Sequence, residues 1–121
     1  MQTKEDISKL VREELARVAD ERLAQRISEL LVEPYCVDRA WDYGAAGVTY
    51  PCWTVLEHIQ SNTGIAYCTE GFGPADPWGL VFLTGPNISI GMDSGWFLSL
   101  EGAMRDSMAW DGPNPEGYES H

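Results

Sequence analysis

Most of the apolar residues of the N-terminal segment recur in steps of three and four. They are Ile7, Leu10, Val11, Leu15, Val18, Leu23, Ile27, Leu30 and Leu31. This spacing lays one apolar stripe along an α-helix. Thr3 with Asp6 resembles a capping signal, and Glu5 and Asp6 place negative charge at the positive end of the helix dipole. The sequence therefore predicts one long helix within residues 1–33.

After Pro34 the pattern changes from helical periodicity to strand alternation. All thirteen aromatic residues lie between Tyr35 and Tyr118. Alternating or continuous apolar runs predict strands at residues 35–43, 52–59, 65–69 and 78–83, with a possible short fifth strand at 88–92. The second and third flank a turn-rich cluster and are expected to pair antiparallel, with Gly64 in the left-handed conformation of the turn.

A second, shorter helix is expected near the C-terminus. Ser99 is a capping residue for a helix from Leu100 to Met108 or Trp110. The order has no strand-helix-strand alternation, which favours an α+β fold with an antiparallel sheet of four to five strands. We expect one domain over residues 1–110, in which residues 1–33 are the helix, 35–98 the sheet and 99–110 the second helix, followed by a flexible tail at 111–121.

The charge of the chain is strongly acidic and unevenly placed. Eight Lys and Arg against nineteen Asp and Glu give a net charge of −11, and residues 34–121 hold only Arg39 and Arg105 against eleven acidic residues. This field repels phosphate backbones and anionic lipid headgroups, so we expect no direct binding to nucleic acid or membrane. The N-terminal residues contain no apolar run typical of a signal peptide, and a cytoplasmic location is expected.

The cysteines and histidines form no recognised chemical motif. Cys36, Cys52 and Cys68 are spaced sixteen residues apart, which fits neither a disulfide framework nor a CxxC pattern. With His58 they could make up a zinc set, but the close ligand pairs of structural zinc sites are absent. We expect reduced structural thiols, no metal and no cofactor.

Catalysis has few candidates in this sequence. Ser94 lies in the loop 91–97, whose spacing is not G-x-S-x-G, and His58 is the main candidate base. We assign no catalytic residue. The enzymatic alternative is a small cytoplasmic enzyme that uses His58 with a cysteine or a carboxylate.

Two loops combine glycine, aromatic and acidic residues, at 70–79 and 91–97. Such loops suit a protein interface. In size, acidity and these loops the chain resembles the small acidic α+β immunity proteins that bacteria pair with toxins. The resemblance implies an inhibitor that neutralises a basic toxin or nuclease by direct binding. The residues expected to bind the partner are Asp38, Asp42, Glu70, Asp76, Trp78, Asp93 and Trp96, with Trp78 or Trp96 as the anchor.

Two other binding roles remain open at this point. Carboxylates could imitate phosphates, as in an inhibitor of a nuclease or of a CRISPR effector, which requires a regular acidic row of which Asp38 and Asp42 are the only hint. Alternatively, the N-terminal helix could dock on a larger assembly or form a homodimer, where the binding protein would otherwise be a monomer.

Overall fold

The fold was analysed in a computed structural model that describes residues 3–40, 47–69, 75–84 and 95–110. These residues form three α-helices and a five-stranded antiparallel sheet. The helices are α1 (Lys4–Ala16), α2 (Glu21–Leu30) and α3 (Leu100–Asp106), and the strands are β1 (Leu31–Ala40), β2 (Thr49–His58), β3 (Thr63–Tyr67), β4 (Trp78–Phe82) and β5 (Trp96–Phe97). The strands follow one another in the sheet in chain order. The α+β fold class is confirmed, as is the antiparallel pairing of β2 with β3.

The predicted N-terminal helix is divided into two helices at Asp20. Thr3 caps α1 through the expected reciprocal bonds with Asp6. The Asp20 carboxylate then accepts hydrogen bonds from the backbone N–H groups of Arg22 and Leu23, at 3.0 and 3.4 Å. A side-chain acceptor in this position begins a new helix, because it satisfies N–H groups that have no partner in the preceding turn. None of the described helices is long and apolar enough to cross a membrane.

The β2–β3 turn uses a different residue from the one predicted. Asn62, not Gly64, takes the left-handed conformation, with φ at 58°. Gly64 lies inside β3, where a Cβ atom would come within 2.4 Å of the Leu56 carbonyl oxygen. The glycine is therefore required by the close approach of two backbones and not by the turn.

The strand boundaries also differ from the prediction at both ends of the sheet. β1 begins at Leu31, directly after α2, so the helical stripe passes into the sheet without a loop. β5 was not predicted, and its two residues pair with Trp78 and Gly79 of β4. The predicted strand at 88–92 and the predicted tail at 111–121 lie outside the described residues.

The three helices pack against one face of the sheet and against each other. The buried apolar side chains of this layer are Ile7, Val11, Leu23, Ile27, Val55, Leu56, Ile65, Trp78, Phe97, Leu100, Ala103, Met104 and Ala109. Polar contacts tie the N-terminal helices to α3: Leu100 N–H donates to the Glu14 carboxylate at 2.9 Å, and Arg26 Nε donates to the Ala109 carbonyl at 3.1 Å. The stripe recognised in the sequence is thus core of this layer.

The sheet is strongly coiled around its other face. Arg39 on β1 donates from Nη1 to the carbonyl oxygen of Phe82 on β4, at 3.0 Å. In the strand pairing, Arg39 is opposite Tyr50 on β2. Phe82 is opposite Thr63 on β3, which is in turn opposite His58, at the other end of β2. In a flat sheet these rows would be about 26 Å apart along the strands, and β1 and β4 about 14 Å apart across them. No arginine side chain spans that diagonal, so the sheet must coil until its two corners meet.

The concave face enclosed by this coil is lined by small side chains. Cys52, Ala66, Cys68, Val81 and Trp96 form a second buried cluster there. The ring of Trp96 lies over Gly79, so close that a Cβ atom at that position would be 2.5 Å from it. Small side chains in this cluster give the sheet room to coil, and the Trp96 ring and the partly buried Tyr50 pack against them.

We expect Gly79→Ala to destabilise the fold by about 1–3 kcal/mol, because the added methyl group displaces the Trp96 ring from a packed site. Urea denaturation of the variant would measure the loss. The double variant Gly79→Ala/Trp96→Leu is the control, since the smaller side chain gives the methyl group room. The double variant should lose less free energy of unfolding than the two single variants lose together. Strictly additive losses would contradict the steric explanation.

Asp20 is the basis of a second prediction, on acid stability. Its carboxylate lies 3.6 Å from the buried Arg105 guanidinium. Partial burial opposes its charge, but the N–H donors of Leu23 and Arg22 and the charges of Arg22 and Arg105 outweigh this and hold the pKa of Asp20 below 3.8. Because the folded pKa is lowered, the stabilisation is complete above 3.8 and is lost as the pH falls through the folded value.

Asp20→Asn keeps the capping oxygen and removes the charge. We expect it to lower the urea midpoint at neutral pH. In acid, the difference in urea midpoint between the variant and the native chain should disappear. The exposed neighbour Glu21→Gln is the control and should show a much smaller gap. A gap for Asp20→Asn that persists in acid would mean that the charge is not responsible.

Candidate protein-binding face

Residues 34–121, here called the β region, expose no lysine or arginine side chain. Residues 34–121 contain only Arg39 and Arg105, and these are 1% and 5% exposed. Arg39 bonds the Phe82 carbonyl, and Arg105 lies 3.0 Å from Glu101 and 3.6 Å from Asp20. Both cations are therefore used inside the fold, and the exposed permanent charge of this region is acidic.

Two of the predicted binding residues lie in one row across the sheet. Asp38 on β1 pairs with Pro51 on β2. Tyr67 pairs with Trp78, and the Cys68 N–H donates to the Pro77 carbonyl at 2.9 Å. The same register, continued by one residue, sets Asp76 opposite Thr69, which lies in the row of Pro51. Asp38 and Asp76 thus lie at opposite ends of this row, separated by β2 and β3, and both are exposed.

This row belongs to the part of the sheet face that extends beyond the helices. We call it the open face and define it by Cys36, Asp38, Thr49, Pro51, Trp53 and Asp76. All six are exposed except Trp53, which is half-buried. Cys36 pairs with Trp53, which pairs with Tyr67, so the neighbouring row runs directly into the core under the helices. The open face is therefore a surface with an aromatic ring on β2 and an exposed acid on either side of that strand.

The other predicted binding residues fall elsewhere. Trp78 and Trp96 are 3% and 8% exposed, Trp78 in the core beneath the helices and Trp96 on the concave face. Both rings are occupied in packing this chain, so we do not place the anchor there. Asp42, Glu70 and Asp93 lie outside the described residues.

Trp53 and Cys36 belong to the open face but were not selected from the sequence. Both lie within predicted strands, and alternation alone places them on one face. What it does not reveal is where along the strands the helices stop covering that face. The signal available for Trp53 is the alternation of Pro51 and Trp53 with Cys52 and Thr54, which puts the two pairs on opposite faces.

No protein-family model, curated protein or solved structure matches this chain. Its function has to be inferred from its own surface.

His58 bonds a nearby serine. Among the described residues, it makes no hydrogen bond to a carboxylate or a thiol, which the enzymatic alternative requires. Its Nδ1 lies 2.7 Å from Ser61 Oγ, which lies 2.6 Å from Thr63 Oγ1. Ser61 Oγ also lies within hydrogen-bond distance of the His58 carbonyl, at 3.3 Å. These bonds close the short turn between β2 and β3. Ser94, the other candidate, lies outside the described residues.

The three cysteines are reduced and lie in two environments. Cys52 and Cys68 are buried, whereas Cys36 is exposed on the open face. Among the described residues, no three histidine, cysteine or acidic side chains are grouped so that they could hold a metal ion.

We expect a thiol reagent to label Cys36 alone in the folded chain and all three cysteines after unfolding. Partial burial and the negative charge of Asp38 raise the pKa of Cys36 above 9.0. The reactive thiolate is therefore scarce at neutral pH, and the labelling rate should rise with pH. Asp38→Asn should speed the reaction, because it removes the nearby negative charge.

The rate is measured by the absorbance of the released reagent. Glu29→Gln, on the helical side, is the matched control for loss of one acidic charge and should leave the rate unchanged. Equal rates for Asp38→Asn and the native chain would contradict the placement of Asp38 beside Cys36.

Proposed function

We propose that this chain is a stoichiometric inhibitor that binds a basic protein through its open face, in the manner of an immunity protein that neutralises a toxin or nuclease. The observation that carries the proposal is the burial of Arg39 and Arg105. With both cations buried, residues 34–121 place no lysine or arginine side chain at the surface among their exposed carboxylates. A basic partner would therefore meet an uninterrupted acidic field.

The arrangement of the open face supports binding to a protein. Asp38 and Asp76 lie at opposite ends of a row that crosses β2 and β3, so each would pair with its own basic group on a large partner. Trp53 lies between their strands and offers apolar area at the centre, where interfaces place the residues that contribute most to affinity. The open face has this distribution, with Trp53 at its centre and Asp38 and Asp76 toward its edges.

The chemistry of the face favours arginine in the partner. A guanidinium group can stack on an indole ring and at the same time donate hydrogen bonds to a carboxylate. Asp38 lies on the strand next to Trp53, one row away. Complementary charge would also speed association, toward about 10⁸–10⁹ M⁻¹s⁻¹ at low salt. Fast capture suits a protein that must neutralise a harmful enzyme.

The test starts from a partner captured from host cells on the immobilised chain, released by salt and purified. We expect titration calorimetry to give one-to-one binding that weakens as salt is added. Asp38→Asn/Asp76→Asn should weaken it about 10- to 100-fold at low salt, which corresponds to about 1.4–2.7 kcal/mol. Addition of one equivalent of the chain should abolish the activity of the partner.

Glu13→Gln/Glu21→Gln is the matched control. It removes the same charge from exposed positions on α1 and α2, and binding should change little. Equal losses for the two double variants would show that net charge, and not the open face, governs binding. A complex that forms without inhibition of the partner would contradict the inhibitory role.

A further inference from the structure

Cys52 and Cys68 face each other across two neighbouring strands. Trp53 of β2 pairs with Tyr67 of β3 in antiparallel register. The residue before Trp53 is therefore opposite the residue after Tyr67. Both cysteines belong to the buried cluster on the concave face, at 0% and 1% exposure.

The hydrogen bonding of β3 shows which type of cross-strand pair this is. The Cys68 N–H donates to Pro77 on the β4 side. In an antiparallel sheet the N–H and C=O groups of one residue point to the same neighbouring strand, so those of Cys68 point away from Cys52. The two cysteines form a non-hydrogen-bonded pair, in which the Cα atoms are about 4.5 Å apart and the side chains approach most closely. Disulfides span Cα separations of about 4.4–6.8 Å.

The surroundings of the pair set its reactivity. The hydrogen bond with Cys68 and then burial raise the pKa of Cys52, while the positive charge of Arg39 opposes that rise. The Cys52 thiol is therefore protonated at neutral pH, and its thiolate, the form that attacks an oxidant, is scarce. Any oxidation should be slow, and it should quicken as the pH rises.

We propose that Cys52 and Cys68 are an oxidation site that closes to an intramolecular disulfide in the presence of a peroxide. This inference does not depend on the proposed function. One cysteine, as thiolate, attacks a peroxide oxygen; the O–O bond breaks, leaving a sulfenic acid, and the departing hydroxide takes up a proton to become water. The second thiolate attacks the sulfenic sulfur, the S–O bond breaks, and a second water leaves. Two thiols are oxidised and one peroxide is reduced.

Position makes the second step faster than competing reactions. A sulfenic acid formed at either cysteine has the other sulfur as its nearest nucleophile. The other residues of the buried cluster are Ala66, Val81 and Trp96, none of which is a nucleophile. A second peroxide would have to reach the buried site before that sulfur reacts. The disulfide would join β2 to β3 directly behind the row of Trp53 and Tyr67.

The Cys36→Ser chain tests the proposal, because it removes the exposed thiol and leaves the pair. The folded protein is treated with hydrogen peroxide, quenched, unfolded and alkylated, and its intact mass is measured. We expect both thiols to disappear together with the loss of two hydrogen atoms, faster at higher pH, and to return on treatment with dithiothreitol. Peptide mapping without reductant should recover the cross-link between positions 52 and 68. The oxidised chain should have a higher urea midpoint, since the cross-link restricts the unfolded chain.

The Cys36→Ser/Cys52→Ala chain is the control and should gain oxygen atoms at Cys68 instead of a cross-link. The proposal is overturned by any of three results in the Cys36→Ser chain. These are two thiols that stay alkylatable under conditions that oxidise Cys36 of the native chain, two cysteines that each gain oxygen independently, or a cross-link between molecules.

Discussion

The contact between Arg39 and the Phe82 carbonyl determines the shape of this protein. It joins two corners of the sheet that a flat arrangement would hold far apart. The coil that results gives the sheet a concave face, where small side chains pack with Trp96 and Tyr50, and a face that receives the helices. Burying a guanidinium group is costly unless its donors find acceptors, so this contact can be kept only in the coiled state.

The same use of arginine determines the surface charge. Arg39 serves the sheet, and Arg105 serves the junction of α2 and α3 through Asp20 and Glu101. A chain with more basic residues in this region could bury two and still expose others. This chain has none left after residue 34. The composition of this region already makes it acidic, and the burial of Arg39 and Arg105 removes its two cations from the surface.

Some features of the fold follow from local patterns, which is why sequence reasoning recovered them. The stripe from Ile7 to Leu31 and the capping residues Thr3 and Ser99 depend on neighbours within a turn or two. The break at Asp20 also left a local trace, since the step from Val18 to Leu23 is five residues and departs from the helical rhythm. Asp20, a residue type that often caps helices, lies within that gap, and together these two features could have predicted two helices.

Other features depend on contacts between distant segments. Gly64 is required by the backbone of β2, and β5 exists because Trp96 and Phe97 meet β4. The row that contains Asp38 and Asp76 depends on three successive registers, and an error of one residue in any of them would move an acid to the opposite face. Trp78 was predicted as a binding anchor, but it is buried in the core between the sheet and the helices. The extent of helix cover is a tertiary property that strand alternation does not contain.

The unneutralised acids link folding and binding through opposite responses to salt. Like charges on the β region repel one another in the folded chain, and added salt screens that repulsion, which favours the compact state. The same screening weakens the attraction of a basic partner. A partner that covers the open face would itself relieve the repulsion, so the folded state should gain stability from the complex beyond the contacts made. A surface optimised for the stability of the free chain would place a cation between Asp38 and Asp76. The row instead holds Pro51 and Thr69, neither of which carries charge; under the proposed function, the compensating charge would come from the basic partner.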